Sequence, residues 1–281
     1  MRQYKGKGAH PAEAGDADRP SPPTPSPPRD RKRSRDNNSP AAKQPEGRGG
    51  YDIRSFLLHQ DATLLAFDKP AGLAVQGGSG VTQSLESLLT AFAKSNGKVP
   101  RLVHRLDRET SGVIVAARTK PAAAFLSDAF AWRSVPKTYF AIVCGGAPEP
   151  AEGEIAFALK KSSRHGLDIM EVAATGGQAA LTRYRTLAAT PTAALLELTP
   201  ETGRMHQLRA HLAAIGHPIA GDGKYGGFFR LGATEVPTLM LHAARLDIPH
   251  PAGGRLVLEA PPPAAFRDVA VSLGLDSALA R

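Results

Sequence analysis

From residue 51 onward the chain alternates short apolar runs with polar turns, and the runs have two different periods. Runs rich in β-branched or aromatic residues predict buried strands, and leucines spaced three and four apart predict helices. The predicted strands cover residues 63–67, 111–117, 137–144, 154–159, 181–187, 193–199, 239–248 and 255–258. The predicted helices cover residues 84–93, 121–132, 205–215 and 264–273.

These elements predict a single α+β domain over residues 51–281, with a mixed, largely antiparallel β-sheet flanked by helices. Residues 1–50 differ from the rest, because a proline-rich stretch is followed by a basic run and almost nothing there is suited to a core. This composition predicts a disordered tail. Such a tail either holds RNA phosphates in a salt-dependent way or is a replaceable, solubilising extension.

Composition narrows the classes of partner. The formal net charge of +9 favours nucleic acid or an acidic membrane surface, although a generally basic soluble protein has the same balance. No stretch approaches the ~18 consecutive apolar residues of a membrane span, and the N-terminus is unlike a signal peptide. Cys144 is the only cysteine, which excludes an intrachain disulfide and fits a reducing compartment. We therefore expect a cytoplasmic protein without a membrane partner.

Candidate chemistry begins with the segment HRLDRETSG at residues 104–112, which directly precedes an apolar strand. Loops beside strand ends often carry reacting groups. Arg105 and Arg108 lie close to Asp107 in sequence, and cationic neighbours keep a carboxylate ionised, as a nucleophile requires. The alternative is that Asp107 caps a turn through its side chain, and composition alone favours this alternative.

A second segment, TGRMHQLRAHL at residues 202–212, places His206 and Arg209 three apart on one flank of a predicted helix. With the free amides of the first helical turn, they form a candidate anion site. His206, His211 and His217 raise the possibility of zinc, but the first two are five apart and no HExxH motif is present. We expect no metal. The glycine-rich segments 77–80 and 216–227 match neither a P-loop nor a dinucleotide fingerprint, so we expect no nucleotide cofactor.

Taken together, six segments resemble one family in order along the chain. HRLDxxTSG at 104–112 resembles the catalytic signature of the RluA/RluC branch of bacterial pseudouridine synthases. Residues 52–265, approximately, share the resemblance. The other matching segments are DKPAGLAV at 68–75, KTY at 137–139, GRMHQLRAHL at 203–212, GHPIAGDGKYG at 216–226 and LHAARLDIPHP at 241–251.

The resemblance implies the pseudouridine synthase fold, a central RNA-binding cleft and an isomerase that needs no cofactor. It implies that Asp107 attacks the target uridine at the ribose C1′ or at C6 of the base. Tyr139 would lie against the uracil and help to remove the C5 proton, while Arg209 would pair with Asp107 and keep it ionised. The implied substrate contacts come from Arg105, which fills the gap left by the flipped base, Leu241, which forms an apolar wall, and His206.

Two departures from the family pattern, Met205 in place of a usual threonine and Gln76 in place of a common histidine, imply a difference in substrate fit. Residues 1–50 are too polar to form the S4 RNA-binding domain that many relatives carry there. GGSG after AVQ points to the RluC subgroup, so we expect a monomer that modifies 23S ribosomal RNA. Transfer RNA is an alternative substrate, and a largely non-catalytic rRNA-binding assembly factor is an alternative function.

Overall fold

The computed structural model describes residues 50–78, 80–164 and 166–279. The predicted tail is residues 1–50, and all of it except Gly50 lies outside the described residues. No helix in the described ranges is both long enough and apolar enough to cross a membrane.

Strands make up most of the regular structure in the described residues. They are β1 (Leu57–Gln60), β2 (Leu64–Lys69), β3 (Arg101–Leu102), β4 (Ser111–Ala117), β5 (Lys137–Cys144), β6 (Glu152–Ile155), β7 (Leu159–Arg164), β8 (Leu167–Val172), β9 (Thr182–Ala189), β10 (Ala193–Pro200), β11 (Arg230–Leu231), β12 (Thr234–Glu235), β13 (Leu241–Pro249) and β14 (Arg255–Glu259). The α-helices are α1 (Leu85–Leu88), α2 (Lys120–Ala131), α3 (Gln207–Ala214) and α4 (Ala264–Ser272). Single 3-10 turns lie at Ile53–Phe56, Leu89–Phe92 and Asp276–Ala278.

One large sheet organises the domain, in the order β1-β2-β4-β13-β5-β10-β9-β6, with β14 beside β13 and β3 beside β4. Among the described strand pairs, β4 and β13 run parallel and the others run antiparallel. The predicted mixed, largely antiparallel sheet is therefore confirmed. Strands β7 and β8 form a separate hairpin, and β11 pairs with β12.

Several predicted elements are confirmed with their bounds, including the strands at 111–117 and 137–144. Two predictions are wrong in detail. The strand predicted at 154–159 ends at Ile155, and a new strand begins at Leu159. The helix predicted from residue 205 begins at Gln207, because His206 has a left-handed backbone (φ 50°) that cannot continue a right-handed helix.

The parallel contact between β4 and β13 fixes the segment that follows the HRLD motif. Gly112 (φ 108°) pairs with Ala243, and a Cβ at Gly112 would overlap the carbonyl oxygen of Ala243, so only glycine allows this approach. The buried His242 donates from Nε2 to the Ala260 carbonyl and accepts at Nδ1 from the Ser111 hydroxyl, 2.9 Å away in each case. The end of the 104–112 segment is therefore held firmly against β13.

A buried polar network holds α3 against β9. The Gln207 side chain accepts a hydrogen bond from the Thr202 hydroxyl (2.6 Å) and donates to the Leu181 carbonyl (2.9 Å). His211 donates from Nε2 to the Phe157 carbonyl and accepts at Nδ1 from the Thr182 hydroxyl. Buried polar groups are costly unless they are paired, so this network restricts α3 to one position. The direction of Arg209, on the same helix, follows from it.

Candidate active site

One cavity of about 330 Å³ opens between the 104–112 segment, the start of α3 and the strands β5 and β13. Its size is at the lower end of ligand pockets, which suits a single nucleotide rather than a helix. All of the site residues predicted from the sequence line it. They are Asp107, Tyr139, Arg209, Arg105, Leu241 and His206.

The Asp107 carboxylate faces this cavity and is 24% exposed. It accepts a hydrogen bond from Arg209 Nη1 at 3.3 Å, and His206 Nε2 lies 3.9 Å away. The structure thus contains the pair with Arg209 that the family resemblance implied, whereas Arg105 and Arg108 do not form an ion pair with Asp107 among the described contacts. Arg108 instead donates from Nε to the Gly72 carbonyl, because neighbouring side chains of a loop point in different directions. The cation beside Asp107 thus comes from α3.

Arg209 is almost fully buried and contacts two carboxylates. Its Nε and Nη2 donate to Asp222 at 2.7 and 2.8 Å, while Nη1 donates to Asp107. Burial alone lowers the pKa of the guanidinium, but the hydrogen bonds and charges of the two aspartates outweigh it and hold that pKa above its ordinary value. The candidate anion site is therefore filled by carboxylates of the protein itself.

The sequence patterns indicate no role for Asp222, although it lies in the family-like segment GDGKYG. Its side chain is fully buried. Besides Arg209, it accepts hydrogen bonds from the backbone amides of Lys224 (3.1 Å) and Tyr225 (3.2 Å). A buried carboxylate is tolerated only when paired in this way. Asp222 therefore closes its own glycine-rich turn and holds Arg209 in place.

His206 reaches the cavity from the left-handed residue before α3, so the predicted placement on a flank of the helix is wrong. The Tyr225 hydroxyl accepts from the Met170 amide (2.7 Å) and therefore donates to His206 Nδ1 (2.9 Å). This contact directs the Nε2 hydrogen of a neutral imidazole toward Asp107. Burial lowers the pKa of His206, and the Asp107 charge opposes that effect only in part.

Tyr139 and Leu241 form the apolar side of the cavity on the neighbouring strands β5 and β13. Leu241 is only 3% exposed, as expected of a wall residue. Burial, and next the negative charge of Asp107, raise the pKa of the Tyr139 hydroxyl well above its usual value. The tyrosine is therefore a neutral phenol at physiological pH.

Lys69 is a further residue whose role the sequence did not reveal. Its side chain is fully buried, and its Nζ donates to the carbonyls of Pro70, Leu73 and Arg108, each at 2.9 Å. Burial lowers its pKa to about 7. Its three carbonyl contacts fasten the turn of the DKPAGLAV segment to the loop that carries Asp107.

Asp107 lies between two spaces. A second cleft of about 760 Å³ shares Asp107, Arg105 and Arg209 with the first cavity and extends past Gln76 and Lys224. Arg105 is exposed at this boundary. The described residues contain no group of three histidine, cysteine, aspartate or glutamate side chains arranged to hold a metal ion.

Comparison with known proteins agrees with this geometry. Residues 63–214 match the family model for RNA pseudouridylate synthase. The chain is 38% identical over 216 residues to the ribosomal large subunit pseudouridine synthase C of Rickettsia bellii, a match that covers 76% of this chain and 70% of that protein. It is 39% identical to an uncharacterized RNA pseudouridine synthase of Zymomonas mobilis, with 76% of this chain and 96% of that protein covered.

Solved structures agree as well. The structure of human RNA Pseudouridylate Synthase Domain Containing 4 aligns with a TM-score of 0.67 at 30% identity, over 79% of this chain and 94% of that chain. The chain therefore belongs to the RNA pseudouridylate synthase family, in its RluA branch, and is an isomerase that acts on RNA.

Proposed function

We propose that this enzyme converts specific uridines of large-subunit ribosomal RNA to pseudouridine, with Asp107 as the nucleophile. The observation that carries the proposal is the position of the Asp107 carboxylate. It lines a cavity sized for one nucleotide, and a buried arginine that lines the same cavity donates a hydrogen bond to it. A carboxylate so placed stays within reach of a substrate while keeping its charge.

In the proposed reaction Asp107 attacks either the ribose C1′ or C6 of the uracil. The bond between C1′ and N1 breaks, the uracil turns, and a bond between C1′ and C5 forms. The bond that Asp107 formed with the substrate also breaks, which returns the free carboxylate. The C5 proton is lost and N1 gains a proton, so no atom is added and no redox step occurs. The detached base must stay bound while it turns, which a cavity little larger than one nucleotide favours. A paired target must first be flipped out of its stem.

We assign Arg209 and Asp222 to positioning Asp107. The Arg209 guanidinium contacts both aspartates: two of its N–H groups donate to Asp222 and one donates to Asp107. Because Asp222 takes the shorter contacts, Arg209 orients the nucleophile through a single hydrogen bond of 3.3 Å. The carboxylate of Asp107 keeps its other oxygen free for substrate. A fully bidentate pair with Asp107 would hold the nucleophile more tightly and occupy both oxygens.

We place Tyr139 and Leu241 against the uracil on the apolar side of the cavity, and His206 near the reacting atoms. The raised pKa of Tyr139 favours a neutral phenol that packs and donates a hydrogen bond. If Tyr139 receives the C5 proton of the uracil, its hydroxyl must at the same time give up the proton that it already carries. Arg105 is exposed at the boundary between the two clefts, which suits a side chain that takes the place of a flipped base.

Ribosomal RNA is the proposed substrate because relatives such as the Rickettsia bellii protein are named as ribosomal large subunit pseudouridine synthases. The second cleft supports a structured RNA, since Arg105, Arg108 and Lys224 line it and suit phosphate groups. Transfer RNA remains the alternative substrate. We further propose that residues 51–281 form the catalytic domain and that the enzyme acts as a cytoplasmic monomer.

Pseudouridine mapping of total RNA from cells with and without the gene tests the proposal. We expect one or a few uridine signals in large-subunit rRNA to disappear, and the wild-type gene to restore them. The gene for the Asp107→Asn protein should not restore them. Loss of a tRNA signal instead would show that the substrate is tRNA. Full restoration of the rRNA signals by Asp107→Asn would refute Asp107 as the nucleophile. Restoration of growth by Asp107→Ala without the modification would favour the assembly-factor function.

A further inference from the structure

Trp132 is the most exposed of the large apolar side chains in the described residues. It is 83% exposed, compared with 60% for Phe228 and 59% for Val271. It is also the only tryptophan of the chain. An indole left in water forgoes a large favourable burial, so its exposure calls for a partner.

The backbone around Trp132 is fixed, although its side chain is exposed. The Trp132 amide donates to the Asp128 carbonyl (2.8 Å) in the last turn of α2. The amide and hydroxyl of Ser134 both donate to the Ala129 carbonyl (3.0 Å), and Val135 is buried just beyond. Arg133 between them adopts a left-handed backbone (φ 58°), a conformation that costs about 1 kcal/mol for such a residue. The turn therefore presents the indole from a rigid base.

This turn borders the active-site cavity. Phe130 and Lys137, which lie before and after it, both line the cavity, and the Lys137 ammonium lies 5.5 Å from the Phe130 ring centre. His104 stacks on the same ring at 4.2 Å. Two residues span at most about 7 Å, so the Trp132 backbone lies within that distance of Phe130. The turn that carries Trp132 therefore lies beside the cavity, although Trp132 itself is not one of the lining residues.

We propose that Trp132 and Arg133 form an RNA-binding platform, on which a base near the target uridine stacks while the arginine contacts a phosphate. The proposal rests on the proposed function only in that the cavity receives the target nucleotide. Flipping a uridine leaves neighbouring bases partly unstacked, and an exposed indole offers them a new face. The charge of Arg133, with that of Lys137 at the adjoining wall of the cavity, suits the phosphates that accompany such a base.

A second copy of this chain is a poorer partner for the same surface. In a two-fold dimer each patch meets its own copy, so two Arg133 side chains would come together. The exposed residues next to Trp132 in the chain, Ala131, Arg133 and Ser134, are small or polar, and the exposed Phe125 lies two helical turns before it on α2. RNA matches both the indole and the positive charge.

The experiment uses the full chain with Asp107→Asn, so that no turnover occurs, and a short single-stranded RNA oligonucleotide of mixed sequence at low salt. Because Trp132 is the only tryptophan, its emission reports on this site alone. We expect RNA to quench the emission. We expect Trp132→Ala to weaken binding, measured by filter retention, by about 5- to 150-fold, as follows from about 1–3 kcal/mol per stacked base. Trp132→Phe should retain most of the affinity.

Val271→Ala is the matched control, because Val271 is an exposed apolar residue at the end of α4, and its substitution should leave RNA affinity unchanged. Unchanged emission at RNA concentrations that saturate the protein, as judged by the amount of RNA retained on the filter, would overturn the proposal. A dimer in solution that becomes monomeric on Trp132→Ala would also overturn the proposal, because it would show that the surface mediates self-association. If Asp107 is not the nucleophile, the Asp107→Asn protein will still form pseudouridine. That result is distinguishable from failure of this proposal, because the emission titration measures binding only.

Discussion

Asp107 and Asp222 both accept hydrogen bonds from Arg209, but they sit in different surroundings. The Asp107 side chain is 24% exposed, lies in a loop and receives one hydrogen bond at 3.3 Å from the arginine. The Asp222 side chain is fully buried and receives two hydrogen bonds of 2.7 and 2.8 Å, together with two from backbone amides.

The comparison shows how one buried arginine serves both stability and chemistry. Desolvation makes the pair with Asp222 costly to break, so that half of the arrangement is rigid. The contact with Asp107 is longer and partly in water, so the same cation orients this carboxylate without occupying it. The more exposed aspartate is the one we propose as the nucleophile.

Removing the nucleophile should have the largest effect on activity. We expect Asp107→Asn to lower the rate by at least about 10³-fold, because a neutral amide cannot form the covalent intermediate. Release of tritium from RNA labelled at uridine C5 measures the reaction, since C5 loses its hydrogen. The midpoint of thermal unfolding should change little, because the substituted side chain is partly exposed. Activity within tenfold of wild type would remove Asp107 from the mechanism.

Removing the buried carboxylate should have the next largest effect and should act on both stability and rate. Asp222→Asn places an amide against the Arg209 donors and leaves a buried charge without its main partner, which costs about 3–5 kcal/mol. We also expect a fall of about 10- to 100-fold in the single-turnover rate, because Arg209 is then free to move onto Asp107. Affinity for RNA, measured by filter binding, should change much less than the rate.

Asp247→Asn is the matched control for this prediction. Asp247 accepts a 2.8 Å hydrogen bond from Arg255 Nε, but both side chains are partly in solvent. Surface pairs of this type contribute about 0–1 kcal/mol. If Asp222→Asn costs no more stability than Asp247→Asn, or lowers affinity as much as rate, the positioning role is wrong.

Local patterns in the sequence predicted this fold, but only the resemblance to the family indicated that Arg209 pairs with Asp107. Strands such as β4 and β5 were predictable because their apolar runs are continuous and local. The hairpin of β7 and β8 was missed because its residues are mostly polar and exposed, so no apolar period marks it. The start of α3 was misplaced because nothing local in the sequence shows that His206 is left-handed.

The contacts that define the site lie beyond the reach of local patterns. Arg209 and Asp107 are 102 residues apart, and Lys69 lies 39 residues from the carbonyl of Arg108 that it holds. Sequence proximity suggested Arg105 and Arg108 as partners of Asp107 and was misleading. Asp222 and Lys69 both lie in segments that match the family, which was the one available sign of a role, but composition could not say what they contact.

A buried lysine, Lys69, also supports the loop of Asp107. Lys69→Met keeps the length of the side chain but removes the donor shared by three carbonyls, so we expect a loss of about 1–3 kcal/mol in the free energy of unfolding. Urea titration measures it. Lys98→Met, at an exposed position, should change stability by less than about 0.5 kcal/mol. Equal effects of the two substitutions would show that Lys69 does not fasten the loop.

The smallest expected effect concerns His104, which begins the same loop and is held neutral. Its Nε2 accepts a hydrogen bond from the Val115 amide (3.0 Å), and burial, followed by the nearby Lys137 charge, lowers its pKa to about 3. Below its unfolded pKa of about 6.5 the unfolded chain takes up the proton and the folded chain does not, so folding stability falls as the pH falls.

His104→Asn isolates this effect, because asparagine can accept the same hydrogen bond without titrating. From pH 7 to pH 5, urea titrations should show wild type losing about 1–2 kcal/mol more than His104→Asn, since each pH unit below 6.5 removes up to about 1.4 kcal/mol. Other histidines with lowered pKa values, such as His242, contribute equally to both proteins and cancel in the difference. Parallel losses in the two proteins would mean that His104 is protonated in the folded state. The loop of Asp107 would then begin at a charged residue rather than at a neutral one.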